Sequence, residues 1–238
     1  MKKEMGALLL LSAILFSGCH SDQKENPTEE KTFKKAYSPT HADATLMGSS
    51  ANKEVKLYKK GDGVKLEFNG KMKDFNWNNP DDTRTESQVF YIDMTDDGDE
   101  EAVIILQTGR GTGLDNYDIH VVDQDLQEIK VPHYEEIVAQ HMESNVVKKD
   151  FETLNITGRA FGKEYHFDYK IDPELEIQQD QLGFGAITIY YIENQRIKLT
   201  LAASVFPINV ADFHITYTFD HTKNEFMVDQ IEVEPIQQ

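Results

Sequence analysis

The sequence predicts a mainly β domain of α+β type, built of antiparallel sheets, with one four-stranded unit around residues 87–131 and one short helix around 134–144. Three observations carry this expectation. Past residue 53, apolar and polar residues alternate with period two, the spacing of strands with one face in a core and one in water. Turn-forming residues fall where the alternations end, at Lys60-Gly61-Asp62-Gly63, Asn69-Gly70, Asp97-Gly98 and Asn194-Gln195. Convincing helical spacing occurs once, from Tyr134 to about Ser144, where Ile137, Val138, His141 and Met142 share a face.

The chain opens with two positive residues, Lys2 and Lys3, and an apolar run from Gly6 to Phe16 broken only by Ser12. That run suits a signal-peptide core and falls short of the roughly 20 apolar residues a spanning helix needs. It ends in Phe16-Ser17-Gly18-Cys19, which resembles a bacterial lipobox, with Phe16 where Leu is usual. The resemblance covers the first nineteen residues. It implies that residues 1–18 are removed and that Cys19 carries lipid, holding the protein on the outer, extracytoplasmic face of a cell membrane. An ordinary cleaved signal peptide with an incidental cysteine is the alternative. Cys19 is the one cysteine of the chain, so internal disulfides are excluded, and a lipidated Cys19 leaves no thiol for catalysis or metal binding.

Removing residues 1–18 takes away Lys2, Lys3 and Glu4 and carries the net charge from −18 to −19. Such acidity argues against nucleic-acid partners and against adhesion to anionic lipid headgroups. Residues 19–52 are polar, hold Pro27 and Pro39, and scatter only Phe33, Tyr37, Leu46 and Met47, so they read as a flexible tether. Its reach is roughly 30 Å on random-coil scaling. Residues 53–238 then form one β-rich domain, with 53–132 and 145–238 as its two halves on either side of the helix. The halves show no clear repeat, which favours one continuous domain.

Within it, Tyr165, Phe167, Tyr169 and Ile171 alternate with polar residues. So do Phe213, Ile215, Tyr217 and Phe219, and so do Ile197, Leu199 and Leu201. Ala102 to Leu106 is apolar on both faces and reads as a central strand covered on both sides.

The segment Asp93 to Glu101 is the most informative. Counted from Asp93, oxygen-bearing side chains stand at positions 1, 3, 5 and 9 (Asp93, Thr95, Asp97, Glu101), with Gly98 at 6 for a sharp turn and Asp99 at 7 to offer its carbonyl. That spacing converges oxygens on a hard cation such as Ca²⁺. Position 12 is Ile104 and the flanks are strands, so an EF-hand is excluded. The same residues also suit an acidic hairpin turn that holds no metal.

The loop resembles the D-x-D-x-D-G-x-x-[DE] loop of FG-GAP and VCBS-type β-propeller repeats, with Thr95 replacing the second Asp. The resemblance spans about 87–131 and implies a blade-like unit of four strands: VFYIDM, EEAVIILQT, NYDIHVVD and QEIKVP. The whole chain is similar to uncharacterised VCBS-like lipoproteins of Gram-positive bacteria, a likeness that carries no activity with it.

The glycine run Thr108 to Gly113 has G-x-G-x-G spacing and is followed by a strand rather than the helix that nucleotide loops require. It reads as a bulged hairpin connection, with Arg110 as a weak anion-binding candidate. The eight histidines do not assemble in sequence. His133 and His141 lie roughly 12 Å apart along a helix, His166 and His214 fall on solvent faces, and His221 lies in a turn. Neither H-E-x-x-H nor G-x-S-x-G is present. The expectation is therefore a non-enzymatic envelope lipoprotein, a module that binds a protein or glycan or serves a structural role, with calcium as a structural ion. The rival is a wall-polymer hydrolase or inhibitor-like module.

Overall fold

The computed structural model describes residues 45–80 and 87–237, which fall within one unit of the chain. The expected signal peptide, Cys19 and residues 20–44 of the expected tether lie outside the described residues. Strands dominate, as the period-two pattern requires. Four short ones come first: β1 (Thr45–Ser49), β2 (Val55–Lys60), β3 (Gly63–Phe68) and β4 (Lys71–Phe75). They form an antiparallel four-stranded sheet in chain order.

β1 corrects the expected extent of the tether. Residues 45–49 pair with β2, and Met47 packs on the core beneath, so the polar composition of 19–52 concealed an edge strand. One half-buried side chain on an edge strand is too little apolar signal to stand out.

The next strands are β5 (Gln88–Ile92), β6 (Glu101–Gly111), β7 (Leu114–Val122) and the two-residue β8 (Glu128–Ile129). They pair consecutively and antiparallel over the stretch where a four-stranded unit is expected. This unit is not free-standing. β12 (Ile187–Glu193) joins β7 in parallel through Ile187↔Asp115 and Thr188↔Asn116. β13 (Arg196–Val205), β14 (Ile208–Asp220) and β15 (Glu225–Pro235) then extend the sheet to eight strands. Strands from both halves of the sequence thus share one sheet.

α1 (Tyr134–His141) lies between β8 and a three-stranded sheet of β9 (Met142–Lys148), β10 (Thr153–Ala160) and β11 (Lys163–Lys170). At eight residues it is too short to be stable alone, and it is fastened by Ile137, 1 % exposed. The sequence predicts helix to about residue 144. The chain instead turns extended at Met142, which pairs with Ala160, while the Phe161 amide donates to the His141 carbonyl. A seven-residue ladder to β10 outweighs one further helical turn.

β6 is the middle of the molecule. Ala102 to Leu106 are all buried to 1 % or less. Ala102, Ile104 and Leu106 pack with Leu57, Leu66 and Phe68 of the four-stranded sheet. Val103 and Ile105 face a second core with Ile137, Leu154, Ile156, Leu199, Phe213 and Ile215. Each such side chain contributes about 1.5–3 kcal/mol of burial. The two-faced apolar run is therefore a strand shared by two cores.

The expected turns are present. Asn69-Gly70 and Asn194-Gln195 hold positive φ at both residues, the hairpin conformation that matches strand twist. Gly185 (φ +96°) fixes the start of α1: a Cβ there would stand 2.5 Å from the Tyr134 hydroxyl.

Candidate functional site

Two places carry clustered charge: the acidic loop between β5 and β6, and a crevice where β7 parts from β12. The loop holds six carboxylates in nine residues and no base. Asp93 organises it. Its Oδ1 accepts from the amides of Thr95 (3.2 Å) and Asp96 (2.8 Å), and its Oδ2 accepts from Gly98 (3.1 Å). Asp97 Oδ1 accepts from the Asp99 amide at 2.9 Å. Asp96 and Gly98 take positive φ, +59° and +94°, which gives the sharp turn. The backbone thus closes the loop on its own carboxylates.

At its foot lies Glu101, 3 % exposed, whose Oε2 accepts from the Met94 amide at 2.7 Å. Burial pushes this carboxyl up to about 7, and the nearby Asp97 and Asp93 charges add to it. Thr95 is equally buried and its hydroxyl finds no protein partner. Asp97 and Asp99 are exposed. Among the described residues no group of three or more His, Cys, Asp or Glu side chains is placed to hold a metal ion. Of the five expected ligands, Thr95 and Glu101 are buried, Asp93 has both oxygens on backbone amides, and the Asp97 and Asp99 side chains are exposed, so the loop does not bring the five together.

The glycine run forms the β6–β7 hairpin, with a bulge between Gln107 and Gly109, as its spacing suggests. Arg110 is exposed and stands directly across from Asp115. An acid beside it works against holding an anion there.

The crevice was not foreseen. β7 pairs with β12 only as far as Asn116 and with β8 only from Val121. Between those points its edge is open, giving a crevice of about 430 Å³ at the parting of the strands. Ile119, Ile129, Val131 and Tyr190 supply apolar wall, and α1 contributes Glu136 beside its N-cap residue His133. The ionisable lining comes in acid–base pairs. Asp118 Oδ1 lies 3.6 Å from His133 Nε2, Glu128 Oε1 lies 2.7 Å from His120 Nδ1, and Glu136 Oε2 lies 2.9 Å from Lys130 Nζ.

These pairings shift the groups in the sense each needs. The Asp118 carboxylate beside it raises the His133 imidazole above its usual range. The bond from His120 holds the Glu128 carboxyl below the usual carboxylate range, helped by the Trp77 indole N–H at 3.3 Å. An ionised Glu128 can only accept, so His120 carries a proton on Nδ1. Its ring stacks on Trp77 at 4.0 Å and 9°, and Trp77 stacks in turn on Phe75 at 4.3 Å. His120 Nε2 is fully covered and unpartnered.

Two of the eight histidines therefore do share one site, contrary to the sequence expectation. His133 pairs with Asp118 through a fold contact that helix spacing could not reveal. One signal was available. Asp118 and His120 stand directly across from Leu106 and Ile104, in a strand read as covered on both sides. Ionisable residues beside such a strand need partners. No helix among the described residues is long and apolar enough to cross a membrane. Comparisons with protein-family models, with curated proteins and with solved structures found no match for the chain.

Proposed function

We propose that this is a surface lipoprotein of the cell envelope, anchored through Cys19, whose β domain binds another envelope component without transforming it. The observation that carries the reading is the crevice beside β7. It is concave and partly apolar, its volume is in the range of ligand sites at about 300–1,000 Å³, and its acids and bases are already committed to one another.

A hydrolase is the rival, and one feature favours it: Glu128 orients His120 as a carboxylate orients a general base. A base must reach the proton it removes, however, and His120 Nε2 is covered. That supports binding over catalysis.

The acidic loop is proposed to take calcium as a structural ion, with the Asp97 side chain turning in and the Asp99 carbonyl joining Asp93, Thr95 and Glu101. The support is the buried, unpartnered Thr95 hydroxyl at the foot of the loop.

The binding reading is tested in cells with a photo-crosslinking residue in place of Glu135, whose carboxylate lies 3.8 Å from the crevice-lining His133 and whose side chain is 75 % exposed. The same residue in place of Lys163, exposed on β11, is the control. An envelope adduct from position 135 alone is expected. Equal labelling from both positions, or none from either, overturns the reading. Soluble fragments released from purified wall by the wild type, and lost in His120→Gln, would establish the hydrolase. Anchoring is tested by Cys19→Ser, which should lose labelled palmitate and leave the membrane fraction.

A further inference from the structure

The open edge of β7 defines what the crevice can recognise. The Asp115 amide donates to the Ala186 carbonyl at 3.0 Å, and the Tyr117 amide donates to Thr188 Oγ1 at 3.2 Å. Farther along, the Asp123 amide donates to the Gln127 carbonyl at 2.9 Å. Alternate residues of a strand direct their backbone groups to the same side. The N–H and C=O of Ile119 therefore point to that side too, into the gap between the end of the β12 ladder and the start of the β8 ladder. One donor and one acceptor stand at the floor of the crevice, flanked by Asp118 and by the apolar surface of Ile119, Ile129 and Val131.

Around that floor each ionisable group lies against a partner of the other kind: three carboxylates face two histidines and a lysine, and His133 Nδ1 also lies 3.8 Å from Glu135 Oε2. A charged ligand would have to compete for a group that already has a partner, and would leave the displaced partner unpaired. A neutral ligand displaces nothing. A carboxylate has about four lone-pair sites and an ammonium three protons, so Asp118, Glu136 and Lys130 keep hydrogen-bonding capacity to spare, and at 3.6 and 3.8 Å from their carboxylates the two His133 nitrogens are not held in close hydrogen bonds. The species that combines many hydroxyl donors and acceptors with apolar C–H faces, and carries no charge, is a sugar.

We propose that the crevice between β7, β8, β12 and α1 binds a neutral saccharide unit. Its hydroxyls bond the Ile119 backbone, Asp118, Glu136 and His133, and its C–H face lies on Ile129 and Val131. This rests on the envelope-binding reading and names its ligand class. The Nε2 of His120 takes no part, because it is covered; the ring is a wall that joins the site to Trp77.

That stack supplies the assay, since Trp77 is the one tryptophan of the chain. The purified full-length protein is titrated with neutral tetrasaccharides, one of hexose and one of N-acetylhexosamine, and with tetralysine and a glycerol-phosphate oligomer as charged probes. A saturable change in Trp77 fluorescence is expected with a neutral sugar, its Kd moving less than about twofold between 0.05 and 0.5 M NaCl, because no ionic attraction is there to be screened. His133→Ala and Asp118→Ala should each weaken binding at least tenfold, and Lys163→Ala should not change it. Amide chemical-shift changes at Ile119 in the wild type provide a readout that does not depend on any variant folding. Saturation by a charged probe alone, weakening with salt, overturns the sugar and leaves the envelope-binding reading standing. No saturable response to either sugar also overturns it, and the crosslink at position 135 then decides whether the crevice binds an envelope component at all.

Discussion

The acidic loop and the β7 crevice are both clusters of ionisable groups, and they differ in how the charge was brought together. In the loop, six acids follow one another within nine residues, so like charges are held close by the covalent chain. Among the described residues no lysine, arginine or histidine forms an ion pair with them, and burial pushes the innermost, Glu101, up to about 7. In the crevice, charges from β7, β8, the linker after it and α1 meet only on folding, and each acid meets a base. Contiguous charge is a demand for a cation or a proton, while charge assembled by a fold can balance itself. The first suits an ion, the second an uncharged ligand.

The largest expected effect is at Glu101. Its carboxyl holds the proton to about pH 7 in the fold, against an ordinary value of 4.5. The folded state therefore binds more protons across that interval, and stability falls as pH rises through it. Glu101→Gln keeps an oxygen for the Met94 amide and removes the charge. In metal-free buffer it should be more stable than the wild type by about 3 kcal/mol at pH 8, and by nothing below pH 4.5. Denaturant melts at the two pH values check this, and equal stability at pH 8 would show that Glu101 is not desolvated.

Calcium comes next. Saturating it to a hundredfold excess over Kd should stabilise the fold by about 2.7 kcal/mol, with Kd near 10⁻⁴–10⁻³ M by order of magnitude. Magnesium should do less, because it dehydrates reluctantly. Asp97→Ala should abolish the response, and Asp96→Ala, exposed in the turn, should preserve it. A melting curve unmoved by millimolar calcium would reduce the loop to an acidic turn.

The smallest effect is in the crevice, because its groups are paired and partly solvated. Asp118 raises His133, so this pair stabilises the fold fully below the ordinary imidazole value of 6.5 and ceases to do so as pH rises through the raised value. Asp118→Asn should cost less than about 1 kcal/mol at pH 6, since the two side chains are 30 % and 42 % exposed. At pH 9 it should cost nothing. The His133 proton resonances should titrate at lower pH in the variant. An unchanged midpoint would mean that the pair does not form in solution.

How much could be read in the sequence follows the same division. The loop was legible because it is local: its spacing, its turn at Gly98 and its flanking strands lie within a few residues. The strand Ala102–Leu106 was legible because an apolar run leaves no solvent face. The crevice was not, because it depends on two residue pairs between β7 and β12, which join segments about 70 residues apart. No periodicity within either strand encodes that pairing. His133 read as a lone histidine because its partner, Asp118, lies on a strand across the gap. The strand β1 hid in a polar stretch because an edge strand buries little, and the helix was overextended because Met142 suits a helix face as well as a strand.

The most direct test of the whole account is co-sedimentation of the purified full-length protein with isolated cell wall, at 0.05 and 0.5 M NaCl, for the wild type and for His133→Ala. The expected result is wild-type binding that changes less than about twofold with salt and falls at least tenfold in the variant. Binding that survives His133→Ala, or that vanishes at high salt, would contradict it and place recognition on the acidic surface rather than in the crevice.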